Sequence, residues 1–189
     1  MTAMGKQNRT AVLTGTAIMA ALVIVFDYTL KYSGLKIPFP WYPNLKFDFT
    51  GVPIVMSLFM YGFSPAITTS LVAGLGIIMR SGNWISASMK FFAELSTVLG
   101  LHMGESVFFK DRIGTNYHAW ALGIASRVLI MTAVNLYVLP NFWHVPWNAT
   151  IGLLPLIAAF NIIQGLVTIG LGHFLFGAVK TRLPNWSDG

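Results

Sequence analysis

The chain reads as a series of long apolar stretches separated by short polar connections that carry Gly, Pro and basic residues. The pattern predicts six helices. The first runs from about Ala11 to Leu30, and a loop from Lys31 to Phe47 follows, with Gly34, Pro38, Pro40 and Pro43 set among Phe39, Trp41 and Tyr42. Prolines so close together forbid a helix there. A short second helix is expected from Asp48 to Tyr61, with Pro53 near its first turn, then a tight turn from Gly62 to Pro65. The third helix covers about Ala66 to Met79, the fourth Trp84 to Phe109, the fifth Ala119 to Leu139 and the sixth Ile151 to Val179.

Composition decides what these helices are dissolved in. Of the 189 residues, 55% are hydrophobic and 10% charged, and the mean hydropathy is +0.67, far more apolar than a soluble core of this size requires. A membrane-spanning helix needs about 20 mostly apolar residues, so the length accommodates six spans and no separate soluble unit. The expected architecture is an all-α membrane protein: one bundle of six transmembrane helices formed by the single domain 1–189 and surrounded by membrane lipid. The basic start of the chain and the apolar run after it lack a small-x-small cleavage site, so they predict a first span rather than a leader.

The net charge of +6 would point to nucleic acid in a soluble protein. Here the basic residues stand between apolar stretches, where they orient a membrane protein, and nucleic acid is excluded as a partner. With an inner N terminus, Lys6, Arg9, Lys110, Arg112, Lys180 and Arg182 are cytoplasmic, against Lys31, Lys36, Lys46 and Arg80 outside. That bias places the chain in the cell membrane, multi-pass, with both termini cytoplasmic. No cysteine is present, which removes disulfides and thiolate metal sites. The four histidines show no metal-ligand spacing.

Ionisable side chains inside a span cost a few kcal/mol each at mid-bilayer and tend to face the bundle interior. They are Asp27, Lys90, Glu94, Glu105 and Arg127, with Asp48 at the entrance to the second helix. Lys90 and Glu94 stand one turn apart on one face, and Glu105 and Arg127 are expected to pair across adjacent helices. Following the chain direction, Lys90 and Glu94, Asn135, and the pair Asn161 and Gln164 fall in the outer half of three different helices. The loop 31–47 lies on the same side and forms an outer lid whose prolines limit the entropy lost on closing. A mostly apolar cavity with a few convergent donors and acceptors describes a small-molecule site, and amides suit a flat heterocycle. The alternatives are interhelical hydrogen-bond glue for the three amides and a plain internal ion pair for Lys90 with Glu94.

Small residues one turn apart let another helix approach closely. Ala17 and Ala21 offer such a face on the first helix, where packing inside the bundle and docking of a partner are both open. Ser96, Gly100 and Gly104 repeat the pattern on the fourth helix, where packing inside the bundle is the expectation.

Taken together, these residues resemble the substrate-binding S components of energy-coupling factor (ECF) transporters, and within them the riboflavin-binding type. The marks are Ala17-x-x-x-Ala21, the stretch Leu45-Lys46-Phe47-Asp48-Phe49 leading to Val52-Pro53, Asn135-Leu-Tyr with Leu139-Pro140, and Phe160-Asn161 with Gln164-Gly165. The resemblance implies that Ala17 and Ala21 dock on a transmembrane coupling subunit, which joins the S component to two ATPase subunits. It implies ligand contacts from Asn135, Asn161 and Gln164, to which the outer-half residues Lys90, Glu94 and Asp48 and the lid residue Trp41 are added as candidates. Riboflavin is then the transported ligand, and no cofactor is implied. Gln164 departs from the pattern, which favours Lys there. An amide keeps a donor and loses the charge, so an S component for another vitamin or small metabolite is the alternative.

Two other classes fit less well. An intramembrane enzyme would need a nucleophile elbow, a Ser–His pairing or an acidic metal cluster, and Gly62-Phe-Ser64-Pro65 supplies none of them. A self-contained carrier would show two matching halves. No Gly-x-x-x-x-Gly-Lys-Ser/Thr loop occurs, so ATP hydrolysis belongs to a partner and not to this chain.

Overall fold

The computed structural model describes residues 8–105 and 117–182. Six helices follow in order: α1 (Arg9–Tyr32), α2 (Gly51–Tyr61), α3 (Phe63–Ser81), α4 (Trp84–Met103), α5 (Tyr117–Phe142) and α6 (Trp147–Arg182). Lys6, Lys110, Arg112 and the expected extension of the fourth helix to Phe109 lie outside the described residues.

Between α1 and α2 the structure adds a short sheet to the helical bundle where the sequence predicts only a loop. The chain there folds into an antiparallel hairpin, β1 (Ile37–Phe39) and β2 (Tyr42–Phe47), with Ile37 opposite Phe47 and Pro38 opposite Lys46. The prolines that exclude a helix are compatible with a short ladder that has no further strand beside it. An irregularity between Pro38 and Phe39 shifts the register, and Phe39 ends up buried at 1% exposure.

Four helices, α1, α3, α5 and α6, are long and apolar enough to cross a bilayer. The 11 residues of α2 make a rod of about 16 Å, half of a typical hydrocarbon core. Its position accounts for its composition. Every residue from Gly51 to Met60 is buried, as expected of a helix that is apolar all round, because α1, α3, α4 and α6 pack around it. The core consequently gathers on α2, where Ile54, Val55, Leu58 and Phe59 meet Val23, Leu101, Ile169 and Phe176.

Glycine sets the connections between these rods. Gly62 at φ 93° separates α2 from α3, and Gly82 at φ 66° ends α3, conformations that L side chains rarely adopt. Asn83 then caps α4 by accepting from the Ser86 N–H at 2.9 Å. The small face of α4 packs inside the bundle, as expected. A Cβ on Gly100 would meet the Leu122 carbonyl oxygen at 2.5 Å, and one on Gly104 would meet Ala119 Cα at 2.5 Å.

Several boundaries differ from the sequence reading: α2 begins at Gly51 rather than Asp48, and the expected turn from Gly62 to Pro65 shrinks to Gly62 because α3 already starts at Phe63. Helix α5 passes through Pro140 to Phe142, because a proline in the last turn removes few backbone bonds and Asn141 Nδ2 donates to the Tyr137 carbonyl at 2.7 Å. Helix α6 begins at Trp147 and includes Pro155, taking in residues assigned to the preceding connection.

Candidate functional site: a buried ion network beneath a hairpin

Where β2 enters α2, Asp48 turns into the bundle. Its Oδ1 accepts from Lys90 Nζ at 2.7 Å and from Thr50 Oγ1 at 2.8 Å. Lys90 also donates to Glu94 Oε1 at 2.8 Å, one turn further along α4. Glu94 is fully buried, and its Oε2 lies 3.4 Å from Arg127 Nη1 on α5. Arg127 further donates to Thr97 Oγ1 at 3.0 Å, to the Ala93 carbonyl at 3.3 Å and to Asn161 Oδ1 at 3.2 Å. Two carboxylates and two cations thus share one buried network drawn from α4, α5 and the start of α2. The sequence reading paired Arg127 with Glu105; its ion pair is with Glu94 instead, since both residues sit about ten positions into antiparallel neighbours and meet at mid-height.

On α6, Gln164 Nε2 donates to the Asp48 carbonyl at 2.7 Å and to Thr168 Oγ1 at 3.2 Å. Burial alone would raise the Asp48 carboxyl, but the charge and hydrogen bond of Lys90, joined by the Lys36 charge and the Thr50 hydroxyl, together outweigh it and hold the group at about 2. A buried charge network of this kind tolerates the loss of one member poorly, because the remaining charge is left uncompensated.

Asp48, Lys90, Glu94, Asn161 and Gln164 therefore come together. Asn135 is also buried, yet its Nδ2 donates to the Met131 carbonyl of its own helix at 2.7 Å, two turns beyond Arg127 toward the hairpin end. Trp41 is 68% exposed at the hairpin tip and touches the site through Phe39, whose ring centroid is 5.1 Å away. Phe39 and Phe47 both pack on Phe160, at 5.7 Å and 4.9 Å, so the hairpin roofs the helix turn that carries Asn161. An apolar groove of about 470 Å³ between α4 and α5, lined by Trp84, Met89, Phe92, Tyr137 and Phe142 among others, holds none of these polar groups.

Sequence reasoning missed a second network. Asp27, 4% exposed, accepts from Lys36 Nζ at 2.7 Å and from Arg80 Nε at 2.8 Å, tying the approach to β1 to α1 and to the end of α3. The signal was present, since Asp27 and Arg80 fall at the same end of neighbouring helices. Thr97 and Thr168 were also missed, because a lone threonine in an apolar run carries no pattern.

Ala17 and Ala21 are exposed, while Gly15, Thr16, Met19, Val23 and Asp27 form the buried face of α1. Packing within this chain's own bundle does not account for the two alanines.

Comparison with known proteins bears on this geometry. No protein-family model matches the chain, and no curated protein matches it either. Among solved structures, the S component of a bacterial ECF transporter superposes with a TM-score of 0.65, over 95% of this chain and 98% of that one, at 23% identity. The class is thereby defined as a multi-pass helical membrane protein with the S-component fold. At that identity the likeness carries the fold and no ligand.

Proposed function

We propose that this chain is the substrate-capturing S component of an ATP-driven ECF transporter, and that its ligand is riboflavin or a related flavin. The observation that carries the proposal is the S-component fold over 95% of the chain, with amide and charged side chains converging beneath an aromatic hairpin at one end of the bundle. In this reading all six helices lie in the cell membrane, both termini are cytoplasmic and the hairpin faces outward. The flavin enters under the hairpin, where Phe39, Trp41, Phe47 and Phe160 supply aromatic surface for a planar ring. Asn135, Asn161 and Gln164 fix its polar edge, and Lys90, Glu94 and Asp48 hold the floor of the site rigid.

Ala17 and Ala21 then present the small-residue face on which a coupling subunit docks, and two ATPase subunits supply the energy. A second reading, an S component for another small metabolite, is favoured by Gln164, a neutral amide where the riboflavin pattern has Lys. The test is the visible absorption spectrum of the protein purified in detergent from cells grown with riboflavin. A flavin spectrum that Asn161→Ala abolishes is the expected result. A colourless protein that fails to bind added riboflavin would transfer the proposal to the second reading.

A further inference from the structure

Helices α4 and α5 meet in two different ways along their length. Away from the hairpin they touch backbone to backbone: a Cβ on Gly100 would lie 2.5 Å from the Leu122 carbonyl oxygen, and one on Gly104 would lie 2.5 Å from Ala119 Cα. Small residues permit that approach. At the hairpin end the facing positions are bulky, and the two helices part around the apolar groove of about 470 Å³, whose walls include Trp84, Met89, Phe92, Val134, Tyr137 and Phe142.

The shape and lining of the groove define what fills it. It opens sideways, out of the bundle, since Phe92 is 43% exposed and Tyr137 63%. Toward the membrane surface, where α4 begins and α5 ends, Trp84 packs edge to face on Phe142 at 5.5 Å. The walls offer water little. No charged residue lines them, and the Ser88 hydroxyl is turned back to the Trp84 carbonyl at 2.8 Å, whereas an enclosed water needs about two to four polar partners. From Trp84 to Phe92 the groove descends about 12 Å along α4, most of the roughly 15 Å of hydrocarbon in one leaflet. Left empty, its walls would forfeit dispersion contacts on that side.

We infer that the groove between α4 and α5 is a binding site for one acyl chain of a membrane lipid, taken from the leaflet at the hairpin end. The chain enters laterally from the bilayer and lies along α4, with its headgroup at the level of Trp84. Recognition is of the chain, because no charged wall residue distinguishes one headgroup from another. Lys90, which holds Asp48 and Glu94, stands on the same turns of α4 and is turned away from the groove. A chain in the groove therefore backs the stretch of α4 that positions the ion network. The assignment stands apart from the flavin reading and does not depend on it.

The experiment strips the full chain of lipid in detergent, titrates it with palmitoyl-oleoyl phosphatidylcholine and counts bound lipids by native mass spectrometry. One lipid that resists exchange by detergent is expected on the unmodified chain. Phosphatidylglycerol with the same two chains is expected to bind within about threefold of it. Ala133→Phe fills the groove from its exposed α5 wall and is expected to weaken that binding at least about tenfold, with a melting temperature in the absence of lipid no lower than the unmodified protein's. Ser88→Leu fills the groove from the α4 side and is expected to do the same, so the test survives the loss of either variant. Undiminished binding in the variants places the lipid elsewhere and overturns the site. So does a headgroup preference above about tenfold in the unmodified chain, a comparison that needs no variant to fold. An unmodified chain that keeps no lipid, or one that forms a dimer which Ala133→Phe removes, gives the groove to detergent or to a second copy and equally overturns it.

Discussion

Gln164 Nε2 donates to the backbone carbonyl of Asp48 at 2.7 Å, joining positions 116 residues apart in the chain. One amide thereby pins the middle of α6 to the segment where the hairpin becomes α2. The same Asp48 holds Lys90 through its carboxylate, so hairpin, α2, α4 and α6 meet at a single residue.

Gln164→Leu removes the donor and leaves the Asp48 carbonyl buried and unpaired, a loss of about 1–3 kcal/mol. The expected outcome is a lower melting temperature in detergent together with weaker flavin binding. An unchanged melting temperature would show that the carbonyl finds another donor.

Lys90→Met leaves Asp48 and Glu94 with Arg127 as the remaining cation of the network. Breaking a buried pair from one side costs about 3–5 kcal/mol. The double change Lys90→Met with Glu94→Met, which removes charge from both sides, should recover part of that loss. Thermal unfolding of the two variants side by side measures it, and a double variant no more stable than the single one would argue against ionic coupling.

Acid should weaken the protein through Asp48. Its carboxyl is lowered from 3.8 to about 2, so its contribution is complete above the ordinary value and is lost as pH falls through the lowered one. The dependence is expected between about pH 4 and pH 2, with roughly 2 kcal/mol at stake. Asp48→Asn should flatten the melting-temperature profile in that window; a profile identical to the unmodified protein's would assign the acid sensitivity elsewhere.

Asp27→Asn removes the shared anion of Lys36 and Arg80 and leaves both cations without it. The backbone between α1 and β1 should then exchange its amide hydrogens faster, while those of α2 remain protected. Equal protection in both proteins would mean that the Asp27 network does not hold the segment between α1 and β1.

Ala17→Leu and Ala21→Leu enlarge an exposed face of α1. Melting temperature and flavin binding should stay within error, and co-purification with a coupling subunit should be lost. Co-purification at the unmodified level would place the docking surface on another helix.

Much of this was legible before any coordinates. Uninterrupted apolar runs delimit α1, α3 and α5 because a bilayer demands length and hydropathy from every span, and the i to i+4 spacing of Lys90 and Glu94 announced their pairing. The hairpin was not legible, since prolines exclude a helix without choosing what replaces it. Pairing across helices was not legible: the bond of Lys90 to Asp48 and the ion pair of Arg127 with Glu94 both depend on rotation about the helix axes, which a sequence does not state. Asn135 shares the end of the bundle with the other amides, and its Nδ2 bonds along its own helix.

Helix α2 has no face turned to lipid. A rod held on every side is an anchor, and the hairpin is joined to it by only three residues, Asp48, Phe49 and Thr50. Asp48 clamps that joint from two sides, its carboxylate held by Lys90 and its carbonyl by Gln164.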